Sequence, residues 1–211
     1  MAALEPDDAT LFDAWRAGDR RAGEQLFERH FDAIYRFFEG KVAGDVVGDL
    51  VQRTFLGCVE ARERFRGASS FRTFLYAIAR HELCALFRRK KASGAVDFGV
   101  SSLADLAPTP STLARLRSQR EHLAHALRSL PLELQLALEL RYFEDLTGPD
   151  LAVVLEVPEG TVRSRLRRGL EALREALSRE DLSRGLLGPS PRDELELERW
   201  AEGLARLARA R

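Results

Sequence analysis

The chain has 211 residues, 45% of them hydrophobic, and its 33 basic and 33 acidic side chains leave a formal net charge of zero. That length and apolar content predict one or two small domains with real cores. Two cysteines, Cys58 and Cys84, are too few and too far apart for a disulfide framework or a zinc knuckle, and no apolar run approaches the roughly 18 residues of a membrane span. The acidic N-terminus, MAALEPDDATLF, lacks the apolar core of a secretory signal, so a soluble cytoplasmic protein without membrane insertion is expected. The neutral average hides an asymmetry. Residues 1–60 hold 7 basic and 12 acidic side chains, whereas residues 61–92 hold 9 and 2. A basic block beside an acidic one is the local footprint of a nucleic-acid surface.

Helical periodicity runs through almost the whole chain and strand alternation is nearly absent, which predicts an all-α fold. Residues 8–17 and 20–39 read as helices broken at Gly18-Asp19, and 45–64 as a third with Val47, Val51 and Cys58 near one side. Ser69-Ser70 offer an N-cap for a helix to about Arg89, with Phe71, Phe74, Leu75, Ile78, Ala79 and Leu86 on one face at 100° per residue. On that count Thr73, Tyr76, Arg80, Cys84 and Phe87 face outward. Arg88, Arg89, Lys90 and Lys91 end the helix. The loop before it, Phe65 to Ser70, brings two serine hydroxyls and exposed backbone amides. Aromatics among arginines suit unpaired bases, each stack contributing roughly 1–3 kcal/mol, and such a loop can cradle a base flipped out of a duplex. The plain alternative is a core helix with a basic C-terminal end favoured by its dipole.

Small residues with Pro108 and Pro110 mark a flexible linker over 93–112. Beyond it, Leu116, Leu123, Leu127 and Leu130 form an apolar stripe, and Pro131 separates that helix from one running to about Phe143. The stretch LTGPDLAVVLEVPEGTVRSRLRRGL (146–170) then reads as two helices around a tight break. Thr147 is the N-cap of the first, Pro149 sits in its first turn and Asp150 is positioned to complete a capping box. Pro158 opens the second, whose buried stripe is Val162, Leu166, Leu170, Leu173 and Leu177. This is a helix-turn-helix with four arginines in six residues. A major groove admits a helix, and arginine pairs bidentately with guanine. Arg163, Ser164, Arg167 and Arg168 are therefore candidates for base edges; Thr161 and Arg165 are candidates for phosphates, which position without specifying. After the second hinge, Gly185 to Pro191, a tail over 186–211 carries Leu197, Trp200, Leu204 and Leu207 at heptad spacing. It is either a helix packing on the second domain or a regulatory segment docking on the chain's own DNA-binding surfaces or a partner.

No phosphate-binding loop, metalloprotease motif, nucleophile elbow or paired-carboxylate signature is present, so neither catalysis nor a cofactor is expected. His122 and His125 stand three apart without a third ligand nearby, and no metal is expected there. Two nucleic-acid surfaces on one chain suggest a protein that spans a promoter; the alternative is a free-standing helix-turn-helix regulator binding an operator as a dimer.

Five segments together, RHFDAIYRFF (29–38), DLVQRTFL (49–56), FRGASSFRTFLYAIAR (65–80), LPLELQLALELRYFEDLTGPDLA (130–152) and VPEGTVRSRLRRG (157–169), resemble the extracytoplasmic-function sigma factors of bacterial RNA polymerase. The resemblance implies a region 2-like domain over 8–92, the linker, a region 4-like four-helix domain over 113–178 and the C-terminal extension. It implies binding of core RNA polymerase through the helix bearing Asp49, Gln52 and Arg53. It also implies melting and reading of the −10 promoter element by Arg66, Ser69, Ser70, Arg72, Thr73, Tyr76 and Arg80, and −35 reading by the helix-turn-helix. The linker would thread toward the polymerase active centre, and an anti-sigma factor would hold the protein inactive. The chain departs from the family pattern at Phe74 (usually Trp), His81 and Ala85 (commonly Asn and Asp), and Arg167 (often aromatic). Glu156 stands where glycine usually closes the first helix of the turn, a costly residue for a left-handed conformation.

Overall fold

The computed structural model describes residues 5–65, 67, 69–90, 97–99, 101–103, 119–179, 199 and 201–203. The chain divides into two compact units, residues 1–92 and 93–211. The described residues form helices and no strand, only an isolated bridge between Ser102 and Pro131. The fold is all-α.

The first unit comprises α1 (Asp8–Arg16), α2 (Arg20–Phe38), α3 (Gly44–Ala61), a 3-10 turn (Arg62–Arg64) and α4 (Phe71–Lys90). Short polar residues start the first two helices. Asp7 accepts from the Thr10 amide at 2.8 Å, Asp19 from that of Arg21 at 2.9 Å, and the hydrogen bonds from Thr10 hold the Asp7 carboxyl below its usual range. The break between α1 and α2 falls at Gly18, whose φ of 108° suits glycine. Asp8 then ties α1 to α2 through Arg29 at 2.7 Å and His30 at 2.6 Å. The Trp15 indole lies flat against Gly23, so close that a Cβ there would stand 2.5 Å from the ring.

Helix α4 departs from the sequence expectation. Phe71, Leu75 and Ala79 are buried as anticipated, but so are four residues placed on its outward side: Thr73, Tyr76, Cys84 and Phe87. The cause is its position. Helices α1, α2 and α3 all pack on α4, whereas a single apolar stripe presumes a neighbour on one side only. The polar groups drawn inward find partners. The Ser70 hydroxyl accepts from the Thr73 amide at 3.1 Å and lies 2.7 Å from the Thr73 hydroxyl, so Ser70 caps α4. The Tyr76 ring meets Phe37 edge-on at 5.7 Å and carries the Arg72 guanidinium over its face at 5.6 Å. Cys58, fully buried in α3, has its thiol pushed up to about 12 by burial.

The second unit comprises α5 (Gln119–Arg128), α6 (Leu132–Leu138), a π-helical turn (Glu139–Phe143), α7 (Gly148–Leu155) and α8 (Glu159–Arg179). Its core gathers Leu123 and Leu127 of α5, Leu138 of α6, and Leu170, Leu173 and Leu177 of α8. Gly169 lets α8 approach α6 closely, since a Cβ there would stand 3.1 Å from Leu138 Cγ. Ala201 belongs to the same core and is 3% exposed. This supports the reading of the tail as a helix packed on the second domain, although Leu197, Trp200, Leu204 and Leu207 lie outside the described residues. Leu116, the His122 side chain and residues 104–112 lie outside them as well.

Part of the segment read as linker is built into this unit. Pro131 gives α6 no side-chain cap. The amides of Leu132 and Glu133 instead donate to the carbonyls of Ser101 at 3.0 Å and Phe98 at 3.1 Å, and Leu103 is fully buried. The linker reading of 93–112 is corrected accordingly for 97–103. Helix N-termini leave amides unsatisfied, and here main-chain carbonyls supply what a Ser or Asp side chain would otherwise provide.

The capping box of α7 forms as predicted: Thr147 accepts from the Asp150 amide at 3.4 Å, and Asp150 from the Thr147 amide at 3.2 Å. Glu156 closes α7 with φ 56° and ψ 44°. The turn keeps the left-handed geometry that glycine adopts in such positions, with a glutamate bearing the strain.

Three outcomes test this packing. Gly23→Ala should destabilise the first unit by about 1–3 kcal/mol through overpacking against Trp15, outweighing the roughly 0.5–1 kcal/mol alanine gains within a helix; thermal unfolding measures it. Glu156→Gly should stabilise the second unit by about 1 kcal/mol, seen as a higher denaturant midpoint. Iodoacetamide at neutral pH should leave Cys58 unmodified in the native chain and modify it in urea, read by peptide mass spectrometry.

Candidate nucleic-acid interface

The second helix of the helix-turn-helix, α8, sorts its side chains by face. Val162, Leu170, Leu173 and Leu177 are buried, and Leu166 is half-buried. Arg163, Arg167 and Arg168 are exposed. Arg168 Nε donates to the Ser164 carbonyl at 3.4 Å and Arg167 lies 3.5 Å from the Glu171 carboxylate. Such exposed pairs contribute little and exchange readily for phosphate or base contacts. Ser164 is half-buried with its hydroxyl donating to the Thr161 carbonyl at 2.9 Å, and Thr161 is half-buried beside it. The helix thus presents three guanidinium groups on one side, with a basic surface suited to a groove lined by phosphates.

Arg165 does not join them. It is 9% exposed and its guanidinium pairs with the Glu133 carboxylate of α6. The expectation that Arg165 holds a phosphate is corrected for this structure. At 100° per residue Arg165 lies about 160° from both Arg163 and Arg167, and that direction leads to a neighbouring helix.

In the first unit, the loop before α4 is anchored by Phe65, whose ring lies 4.5 Å from that of Phe74 and 4.9 Å from that of Phe12. Gly67 takes a φ of 70°, which lets the loop turn tightly. Ser69 is half-buried, as are Arg72 and Arg80 on α4. Thr73 and Tyr76, at 1% exposure each, present no face to a base here; Thr73 completes the helix cap and Tyr76 supports Arg72 from below. Arg66 lies outside the described residues.

Asp49, Gln52 and Arg53 are exposed on α3, with Asp49 and Arg53 paired at 2.9 Å. Beside them the structure adds a feature the sequence analysis missed: an open, mostly apolar groove between α2 and α3, where Phe31, Tyr35, Leu56 and Val59 stay exposed and Gln52 lines the wall. Two of its rings, Phe31 and Phe55, stack nearly parallel with centroids 6.4 Å apart. Contiguous exposed apolar surface marks an interaction site. The available signal was an excess of large apolar residues on α2 and α3 beyond one buried stripe.

Among the described residues no helix is long and apolar enough to cross a membrane, and no cluster of ligating side chains is suited to a metal ion.

Family models match both units: Sigma-70 region 2 over residues 26–93 and Sigma-70 region 4 over 120–173. The chain is 30% identical over 175 residues to the ECF RNA polymerase sigma-E factor of Escherichia coli, covering 79% of this chain and 92% of that protein. It is 34% identical over 193 residues to the RNA polymerase sigma-H factor of Pseudomonas aeruginosa, covering 82% and 95%. Among solved structures it shares its fold with the sigma factor RpoE of Bartonella quintana in complex with the anti-sigma factor NepR, with a TM-score of 0.57, 22% identity and coverage of 74% and 96%. It also shares it with CnrH in complex with the cytosolic domain of CnrY, with a TM-score of 0.55, 24% identity and coverage of 82% and 97%. Two helical units matching regions 2 and 4 in order, over most of both chains, place the protein in the family of extracytoplasmic-function RNA polymerase sigma factors, the promoter-recognition subunits of bacterial polymerase.

Proposed function

We propose that α8 reads −35 duplex DNA through Arg163, Arg167 and Arg168, with Ser164 and Thr161 at its edge, while the Phe65–Ser70 loop and the start of α4 handle the melted −10 element. The carrying observation is the sorting of α8: three arginines outward, one inward, on a helix whose opposite side is core. A helix lying in the major groove needs this division. For the −10 element, Ser69 and Ser70 flank the loop, and Arg72 and Arg80 supply charge on the following helix. Burial of Thr73 and Tyr76 in the free chain makes them supports for these groups. Core polymerase docks on α3 at Asp49, Gln52 and Arg53, with the apolar α2–α3 groove providing the buried centre and the charged pair the rim, the usual anatomy of a protein interface. An anti-sigma factor competes for these surfaces, as the family resemblance implies. The protein contributes recognition and carries no catalytic group of its own.

The test is in vitro transcription with purified core polymerase over a randomised promoter library. Enrichment of paired −35 and −10 elements at fixed spacing is the expected result. On the selected promoter, Arg168→Ala should cost about 1–3 kcal/mol for the preferred −35 sequence. Failure to associate with core polymerase, together with tight dimeric binding to palindromic duplexes, would instead identify a free-standing regulator.

A further inference from the structure

Arg165 sits among the outward arginines of the reading helix yet points away from where DNA would lie. Its partner is Glu133, 11% and 31% being the side-chain exposures of the two. The pair crosses from α8 to the second residue of α6, a helix of only 7 residues. The Glu133 backbone is itself held: its amide donates to the Phe98 carbonyl at 3.1 Å, one residue after the Leu132 amide donates to Ser101 at 3.0 Å. The accepting segment is a turn closed by Asp97, whose carbonyl accepts from the Ser101 amide at 2.7 Å and whose carboxylate accepts from the Gly99 amide at 2.9 Å. Gly99 passes so near Glu133 that a Cβ on it would stand 3.9 Å from Glu133 Oε2. Leu103, fully buried, fixes the far end of the segment.

These contacts form one chain of fixed groups: the 97–103 turn, the head of α6, the Glu133 carboxylate and the Arg165 guanidinium. The Arg165 guanidinium is largely desolvated and, left without the half-exposed Glu133 carboxylate, is a costly buried charge, so the pair is directional. Arginine's planar fork makes its orientation sensitive to where the carboxylate lies. Rotation of α8 about its axis would carry the Arg165 guanidinium away from the Glu133 carboxylate and break the pair.

We propose that Glu133 and Arg165 are positioning residues for −35 reading: the pair sets the rotation of α8, and the 97–103 segment, by holding the head of α6, sets the pair. This rests on the reading of α8 as the duplex-binding helix. Arg165 acts through the outward arginines and touches no nucleic acid. It follows that displacing the 97–103 segment changes how sharply the −35 sequence is read.

Salt dependence separates this role from a phosphate contact. Removing one phosphate contact lowers the slope of log affinity against log salt by about one; loss of rotation leaves the slope and blurs discrimination among bases. The full chain with core polymerase is assayed on its selected promoter and on single-mismatch −35 variants across a salt series. Glu133→Gln, Arg165→Met, the swapped pair Glu133→Arg with Arg165→Glu, and Leu103→Ala are compared with Arg168→Ala. Glu133→Gln and Arg165→Met should each lower the matched-to-mismatched ratio by about tenfold with an unchanged salt slope. The swapped pair should recover most of that ratio, which a general loss of stability would not permit. Leu103→Ala should lower it less. Circular dichroism confirms folding, and Glu133→Gln, the mildest change, carries the test should Arg165→Met unfold. A reduced slope with intact discrimination in Arg165→Met would make it a phosphate contact and overturn the proposal; so would unchanged discrimination in both single variants while Arg168→Ala loses it. If Arg168→Ala is also silent, the assignment of α8 as the reading helix fails instead.

Discussion

The close approach of α8 to α6 governs the second unit. With Gly169 pressed on Leu138 and Leu170, Leu173 and Leu177 in the core, one side of α8 is committed to packing. Only the opposite side can meet DNA. An α-helix repeats every 3.6 residues, so a run of four arginines in six residues cannot all face the same way. Three emerge outward and the fourth, Arg165, is carried toward the neighbouring helix, where Glu133 receives it. The division between outward and inward guanidinium groups follows from helix geometry once the packed side is chosen.

The first unit solves the same problem differently. Its α4 is enclosed by three helices and cannot offer a continuous outer face. What it can offer lies at its start, where the loop from Phe65 arrives and Ser70 caps the helix. The loop is held by rings, Phe65 lying between Phe12 and Phe74. Those rings continue inward through Trp15 and Phe27 to Phe55, which borders the α2–α3 groove. The loop before α4 and the α2–α3 groove therefore share a single aromatic framework.

Much of this was legible in the sequence where the determinant is local. The Thr147–Asp150 capping box, the Gly18-Asp19 break and the Ser70 cap each depend on a few adjacent residues. The outward set at Arg163, Arg167 and Arg168 was legible because helical spacing carries those positions off the apolar stripe of Val162, Leu170, Leu173 and Leu177. The errors have one physical origin. Periodicity gives the angle of a side chain about its own axis and carries no record of how many helices surround that axis. Thr73, Tyr76, Cys84 and Phe87 were placed outward on a helix with three neighbours, and Arg165 was aimed at solvent where α6 stands. The groove at Phe31, Tyr35, Leu56 and Val59 carries no periodicity of its own, because an apolar residue at helical spacing reads the same whether it faces core or groove. The capping of α6 by residues 98 and 101 left no side-chain signature, since main-chain carbonyls make it.

That last contact bears on how the protein can be dissected. A fragment begun at the edge of the region 4 match, residue 120, would start α6 with bare amides and an apolar hollow where Leu103 belongs. A fragment begun before Asp97 keeps both. The boundary between the functional halves of the molecule is therefore set by where backbone donors are satisfied, some two dozen residues upstream of where sequence likeness begins.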